Sequence, residues 1–330
     1  MFGSLCDVPG VLVGHAGDKD GLTGCTAILF EIPAVAGVDV RGSSPGTRET
    51  DLLSPTGRVG ETHGLLLTGG SAFGLAAADG VVDFLQERGV GYDVRVARVP
   101  LVPAAVLFDL AVGDPKARPD AAMGYEAAAA AASGDFPQGS VGAGTGATVG
   151  KVLGPERAMK GGVGSASVSL SEGLVVAALA AVNAFGDVRD PATGEIVAGP
   201  RLADCALADS VDHLEEAARF MRWGAENTTL AVVATNARLT KPQVTKVAQM
   251  AHDGLARTIS PVHTSIDGDT IFAASVGGPT SGDVSSNVPP GVAAAPDVVG
   301  AWGARVVERA VLRAVRSARG IPGFPAVSEL

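Results

Sequence analysis

The stretch Ala225-Glu226-Asn227-Thr228-Thr229-Leu230-Ala231-Val232-Val233 joins two kinds of sequence. Upstream, Ala203 to Arg222 reads as an amphipathic helix running out near Gly224; downstream, Thr229 to Thr235 is a β-branched, apolar strand. An Asn-Thr pair at such a junction is ordinarily a turn. It is also a place where a chain can cut itself. Scission between Asn227 and Thr228 would leave Thr228 as a new N-terminal residue, with a nucleophilic hydroxyl and a basic amine on one carbon skeleton. The triplet also matches the Asn-x-Thr glycosylation acceptor, which matters only in a secreted chain.

Secretion is not the expectation. Met1 to Gly10 carries neither the basic residue nor the apolar run of a signal peptide. Cys6, Cys25 and Cys205 are an odd, widely spaced set without metal-ligand spacing, as in a reducing cytosol. The apolar run Leu174 to Val182 stops at Asn183, short of the roughly 18 residues of a membrane span. The sequence therefore reads as a soluble, cytoplasmic protein.

A length of 330 residues would ordinarily divide into about two domains, but no linker, charge block or internal repeat marks a boundary. A single domain over 1–330 is expected. Hydrophobic residues make up 46% of the chain and charged ones 18%, and the 45 glycines imply close packing of small aliphatic side chains. The net charge of -10 argues against nucleic acid or an anionic membrane surface as partner. A mean hydropathy of +0.29 with an Ala-rich, weakly charged surface points to apolar area hidden between copies of the chain, that is, a homo-oligomer.

Working outward from the junction, strands are expected at Gly24 to Phe30, Val35 to Arg41, Gly64 to Leu67, Ala143 to Val149, Ser165 to Leu170, Val175 to Val182, Thr229 to Thr235 and Thr270 to Ser275. Helices are expected at Ser71 to Glu87, Asp120 to Ala132, Ala203 to Arg222, Lys241 to Arg257 and Asp297 to Ala318. Gly69-Gly70 should turn the chain, Ser71 should cap the first of these helices, and Arg88-Gly89 should end it. Strands and long helices that do not strictly alternate indicate α+β layers.

Several motifs fail on spacing. In Gly142 to Lys151 the position five before Gly150 is Thr145, and Val152 stands where a phosphate loop needs Ser or Thr. As a dinucleotide fingerprint the same stretch has its third glycine one place early. Gly69 to Gly74 resembles a nucleophile elbow, but its last glycine comes one residue late. Asp267-Gly268-Asp269 lacks the further oxygen ligands of a calcium loop, and His15, His63, His213, His252 and His263 include no zinc-type pair. Neither metal nor cofactor is expected. What remains is a set of polar residues at strand ends: Lys151, Asn183, Thr228, Asp267 and Asp269. Each has an ordinary explanation as a turn or a solvated group, yet strand ends at one sheet rim can line a single cleft.

Seven segments in order resemble the DmpA-type aminopeptidases: Val11 to His15, Gly37 to Asp51, Leu67 to Gly74, Gly139 to Lys151, Met159 to Ser165, Asn227 to Thr229 and His263 to Thr270. That family includes L-aminopeptidase/D-esterases, β-peptidyl aminopeptidases and nylon-oligomer endo-hydrolases. The resemblance implies an αββα sandwich like that of N-terminal-nucleophile hydrolases, cut autocatalytically into an α chain (1–227) and a β chain (228–330). It implies a tetramer of αβ units and a small peptide, amide or ester as substrate. By the same resemblance Thr228 is the nucleophile, where aminopeptidase members generally use Ser, and Asp267 and Asp269 are its acidic partners. Asn183 is the candidate oxyanion donor, and a nearby Lys151 would favour the free-base form of the Thr228 amine. Phe108 stands where relatives place a tyrosine, and a phenyl ring cannot donate that hydrogen bond. Three alternatives stay open beside the aminopeptidase: an endo-hydrolase of ω-amino acid oligoamides, an acyltransferase of the ornithine-acetyltransferase kind, and a non-catalytic oligomeric binding protein that keeps the fold without the cut. For a substrate ammonium, the sequence leaves Asp39, Glu49, Asp51 and Asp109 as candidates.

Overall fold

The computed structural model describes residues 3–203, 205–220, 227–277 and 288–330. Its principal strands are β1 (Val11–Asp18), β2 (Thr23–Val40), β3 (Thr62–Thr68), β4 (Ala104–Val106), β5 (Gly162–Ser169), β6 (Val175–Asn183), β7 (Thr228–Thr235) and β8 (Thr270–Ser275). The helices are α1 (Ala77–Glu87), α2 (Ala121–Ala129), α3 (Leu214–Phe220), α4 (Lys241–Thr258) and α5 (Pro296–Arg316). The strands run in the order β5-β6-β7-β8-β2-β3-β4, with the two-residue strand Thr47–Arg48 outside β4 and β1 alongside β2.

The 18-residue strand β2 makes this path two layers. Its residues 23–30 pair with β1, residues 25–29 pair with β3, and residues 35–40 pair with β8. Side chains alternate accordingly. From β6, Val176, Ala178, Ala180 and Val182 pack outward with residues of α4 and α5 such as Val244, Val247, Val307 and Val311. Ala177, Leu179 and Ala181 instead meet Ile28, Phe30, Leu65 and Leu67 from the other sheet. On the far side Ala27, Leu29 and Leu66 pack against Ala77, Val81 and Ala127 of α1 and α2. The layers are therefore α1/α2, sheet, sheet, α4/α5, an αββα sandwich. Both faces of the central strands are buried, so their sequences are continuous aliphatic runs rather than alternating ones.

Four local expectations differ. The strands expected on either side of Pro33 are one strand, with the pairing to β3 shifting register between Leu29 and Ala34. Ala143 to Val149 is not a strand: Gly142–Gly144 is a 3-10 turn and only Thr148–Val149 is extended. Here backbone lies against backbone, since a Cβ on Gly144 would stand 2.4 Å from the Val163 nitrogen, and the carbonyls of Gly144 and Ala147 face the Lys160 ammonium at 2.7 and 2.8 Å. Ser71 does not cap. Gly70 occupies the cap position, and Ser71, at φ +53°, lies inside a 3-10 segment (Ser71–Ala76) preceding α1. Its N–H goes to the Leu107 carbonyl at 3.0 Å. Gly89, at φ +68°, ends α1 as expected.

The expected helix Ala203 to Arg222 is reduced to α3 within the described residues; residues 204, 221 and 222, and the helix end near Gly224, lie outside them. Its first part is tied down elsewhere, because Ala208 N–H bonds Pro200 and Ser210 N–H bonds the buried Asp187 carboxylate. No helix among the described residues is long and apolar enough to cross a membrane.

Candidate active site

Asn183 ends β6 and Thr228 begins β7, and the antiparallel register places them opposite each other. On the other flank Asn227 bridges Asp267 in parallel, so the residues before β8 run beside the junction. Thr228, Asn183, Asp267 and Asp269 are all at most 4% exposed. The sheet rim thus gathers four of the five candidates, and the glycine-rich loop brings the fifth. Lys151 Nζ donates to Asn183 Oδ1 at 2.9 Å and to the Asn183 carbonyl at 3.1 Å.

Asn183 holds several groups at once. Its Oδ1 also accepts the Thr148 N–H at 3.0 Å, and its Nδ2 donates to the Phe108 carbonyl at 2.9 Å. The Thr228 hydroxyl donates to the carbonyl oxygen of its own neighbour, Asn227. The same oxygen receives the Gly268 N–H at 3.0 Å. Gly268 has no room for a side chain, since a Cβ there would lie 2.8 Å from Thr228 Oγ1.

The two carboxylates differ. Asp269 Oδ1 accepts the Thr229 N–H at 2.6 Å, and its Oδ2 accepts from the His263 backbone at 3.0 Å and pairs with His263 Nδ1 at 2.8 Å. Asp267 Oδ2 accepts from the backbone and the hydroxyl of Thr264. Burial first, and the nearby Asp269 second, push the Asp267 carboxyl up to about 6; the Thr264 hydrogen bonds and the Lys151 charge pull the other way. Sequence reasoning missed Gly268 as a donor and His263 as a partner of Asp269. Its only signal for either was their place in the segment His263 to Thr270.

The candidates for an ammonium site are placed otherwise. Asp109 is buried, accepting from Gly70 N–H at 2.7 Å and the Thr23 hydroxyl at 2.8 Å, and burial raises its carboxyl above the usual range. Asp39 pairs with Arg41, Glu49 accepts the Val102 N–H, and Asp51 is exposed. None of the four lines the pocket beside Lys151, which is bounded by Phe108, Ala111, Val112, Thr148, Lys151, Pro155 and Phe324. Among the described residues no group of three or more His, Cys, Asp or Glu is placed to hold a metal ion.

The four-layer αββα architecture is the N-terminal-nucleophile hydrolase fold. It is shared with the L-aminopeptidase D-Ala-esterase/amidase from Ochrobactrum anthropi, described as a variant of that fold, at a TM-score of 0.71 and 21% identity over 99% of this chain and 91% of the other. A Burkholderia sp. beta-aminopeptidase superposes with a TM-score of 0.68 at 25% identity, covering 96% and 87% of the two chains. In sequence, residues 3–327 match peptidase family S58, and the chain belongs to that family. An uncharacterized aminopeptidase of Mycobacterium tuberculosis (strain ATCC 25618 / H37Rv) is 44% identical over 352 residues, 99% of this chain and 97% of the relative. A 6-aminohexanoate-oligomer endohydrolase of Kocuria sp. (strain KY2) is 35% identical over 271 residues, 81% and 73% of the two.

Proposed function

We propose that the chain cuts itself between Asn227 and Thr228 and then works as an N-terminal-threonine amide hydrolase, an aminopeptidase. One observation carries the reading: the Thr228 hydroxyl rests on the Asn227 carbonyl, whose oxygen is already held by the Gly268 N–H. In the precursor, Thr228 Oγ attacks the Asn227 carbonyl carbon while Asp267 takes the hydroxyl proton. The negative charge developing on the carbonyl oxygen is met by the Gly268 N–H. Breakage of the C–N bond, with a proton returned to the nitrogen, leaves an ester. Water hydrolyses it to the Asn227 carboxylate and a free Thr228.

The freed amine, with a reference pKa of about 7.7 to 8.0, then serves as general base for its own hydroxyl. Asn183 supplies a side-chain N–H to the substrate oxyanion, and Lys151, bonded to Asn183, disfavours a charged amine at Thr228. An acyl-enzyme forms on Thr228 and is released by water.

A second reading, endo-hydrolysis of oligoamides, is favoured by one feature. The chain is 35% identical over 81% of its length to a 6-aminohexanoate-oligomer endohydrolase, whose name gives an oligoamide as its substrate. Mass spectrometry tests the main reading: purified protein should give fragments ending at Asn227 and starting at Thr228, and a chain still whole after prolonged incubation would sink it. Aminoacyl anilides assayed beside linear oligoamides separate the two specificities.

A further inference from the structure

We propose that His263 is a positioning residue for the nucleophile, holding Asp269 through an Nδ1–H donated to Oδ2 so that Oδ1 fixes the Thr229 N–H at the start of β7. This rests on the reading of Thr228 given above and adds to it a group that touches no reacting atom.

The geometry settles both tautomers of a histidine pair, His252 buried and His263 partly so. His252 Nε2 lies 3.0 Å from the Asp39 carbonyl oxygen, which can only accept, so the ring proton of His252 is on Nε2. The carboxylate of Asp269 likewise only accepts, which puts the His263 proton on Nδ1. The two rings meet edge to face with centroids 4.8 Å apart. Their remaining nitrogens, His252 Nδ1 and His263 Nε2, are buried without a partner among the described residues. A second proton on His252 would place a cation against its neighbour, and burial with that neighbour pulls its pKa down to about 4. The His252 ring is therefore a neutral wall for His263.

The backbone agrees. His263 sits at φ +56°, a conformation uncommon outside glycine, which brings its own N–H onto Asp269 Oδ2 together with the ring. From the opposite side Arg41 N–H donates to the Asp269 carbonyl at 3.0 Å, and Arg41 itself is held by Asp39 and the Gln249 carbonyl. Asp269 is thus fixed at side chain and main chain, and Thr229 is the one residue of β7 it touches next to the nucleophile.

The test uses His263→Ala, His263→Gln and His263→Asn in the full chain. Asn places an amide N–H near the position of Nδ1 and tolerates positive φ; Gln reaches instead toward Nε2. Expected is a fall of about 10- to 100-fold in self-cleavage and in kcat for Ala and Gln, with KM little changed, and substantial recovery for Asn. Equal rates for wild type and Ala, or Gln recovering as well as Asn, would overturn the inference. A second measurement is independent of scission. Nitrogen-15 spectra of histidine-labelled protein should show the His263 proton on Nδ1 in the wild type, and a proton on Nε2 would overturn the inference even if the variants misfold. Wild type that stays uncut fails the Thr228 reading alone, and the spectra then decide this one.

Discussion

The main-chain N–H of Gly268 donates to the carbonyl oxygen of Asn227 at 3.0 Å, on the peptide that Thr228 Oγ1 also touches. One residue thus supplies a donor and, by lacking a Cβ, the space for the hydroxyl. Gly268→Ala would set a methyl 2.8 Å from Thr228 Oγ1 and from the Ser44 carbonyl. We expect about 1 to 3 kcal/mol lost in denaturant unfolding from overpacking, and self-cleavage slowed well beyond that. A Gly268→Ala chain that cuts at the wild-type rate would remove this residue from the step.

In the mechanism proposed above, Asn183→Ala removes the oxyanion donor of the acyl-transfer step. The amide also accepts the Thr148 N–H and the Lys151 ammonium, so the variant leaves a buried N–H unpaired as well. Turnover should drop about 100- to 1000-fold, with a stability loss of about 1 to 3 kcal/mol. Unchanged kcat with lowered stability would reduce Asn183 to a structural pin.

If Asp267 takes the Thr228 proton as proposed, its raised carboxyl gives self-cleavage an acid limit. As acceptor of the Thr228 proton it must be ionised, so the rate of scission should fall about tenfold per unit as pH drops below about 6. Stability runs the other way. A carboxyl raised above its unfolded value of 3.8 adds stability that is complete below that value and is lost as pH rises through about 6. A rate flat from pH 7 to 5 would take Asp267 out of the proton transfer.

His252 makes the opposite contribution. Burial lowers its pKa from 6.5 to about 4, so the unfolded chain binds this proton first as pH falls. Stability from His252 is complete above 6.5 and is lost as pH falls below it, the loss levelling off below about 4. The fall in thermal midpoint between pH 6.5 and 4 should be smaller in His252→Gln than in wild type, and equal slopes would contradict it.

Lys160 is fully buried, its ammonium on the carbonyls of Gly144, Ala147 and Gly161. Lys160→Met leaves these acceptors unpaired in the core. We expect a loss of about 1 to 3 kcal/mol, read by urea unfolding, and a loosened 142–150 loop that costs Lys151 its placement on Asn183.

The sequence makes the central sheet readable because four-layer burial writes itself as uninterrupted Val, Ala and Leu in β6 and β7. It makes the Thr228, Asn183 and Asp267 cluster readable because each closes or opens such a run. Pro33 hides the continuity of β2, since a residue without an N–H reads as a strand break when it stands at a shift of register. The loop 142–150 misleads for a different reason. Its hydrogen bonds go to a distant ammonium, and nothing local in Ala143 to Val149 announces Lys160. The contact of His263 with Asp269 is invisible because it comes with a left-handed backbone that no neighbouring glycine signals.

In the sheet order, β7 and β8 lie between β6 on one side and β2 on the other. A nick after residue 227 would therefore give two polypeptides woven through each other, the shorter one supplying the inner planks of a floor whose edges belong to the longer. Neither piece owns a complete hydrophobic interior, so maturation would alter covalent bookkeeping while the molecule stays in one body, and the pair should part only on unfolding.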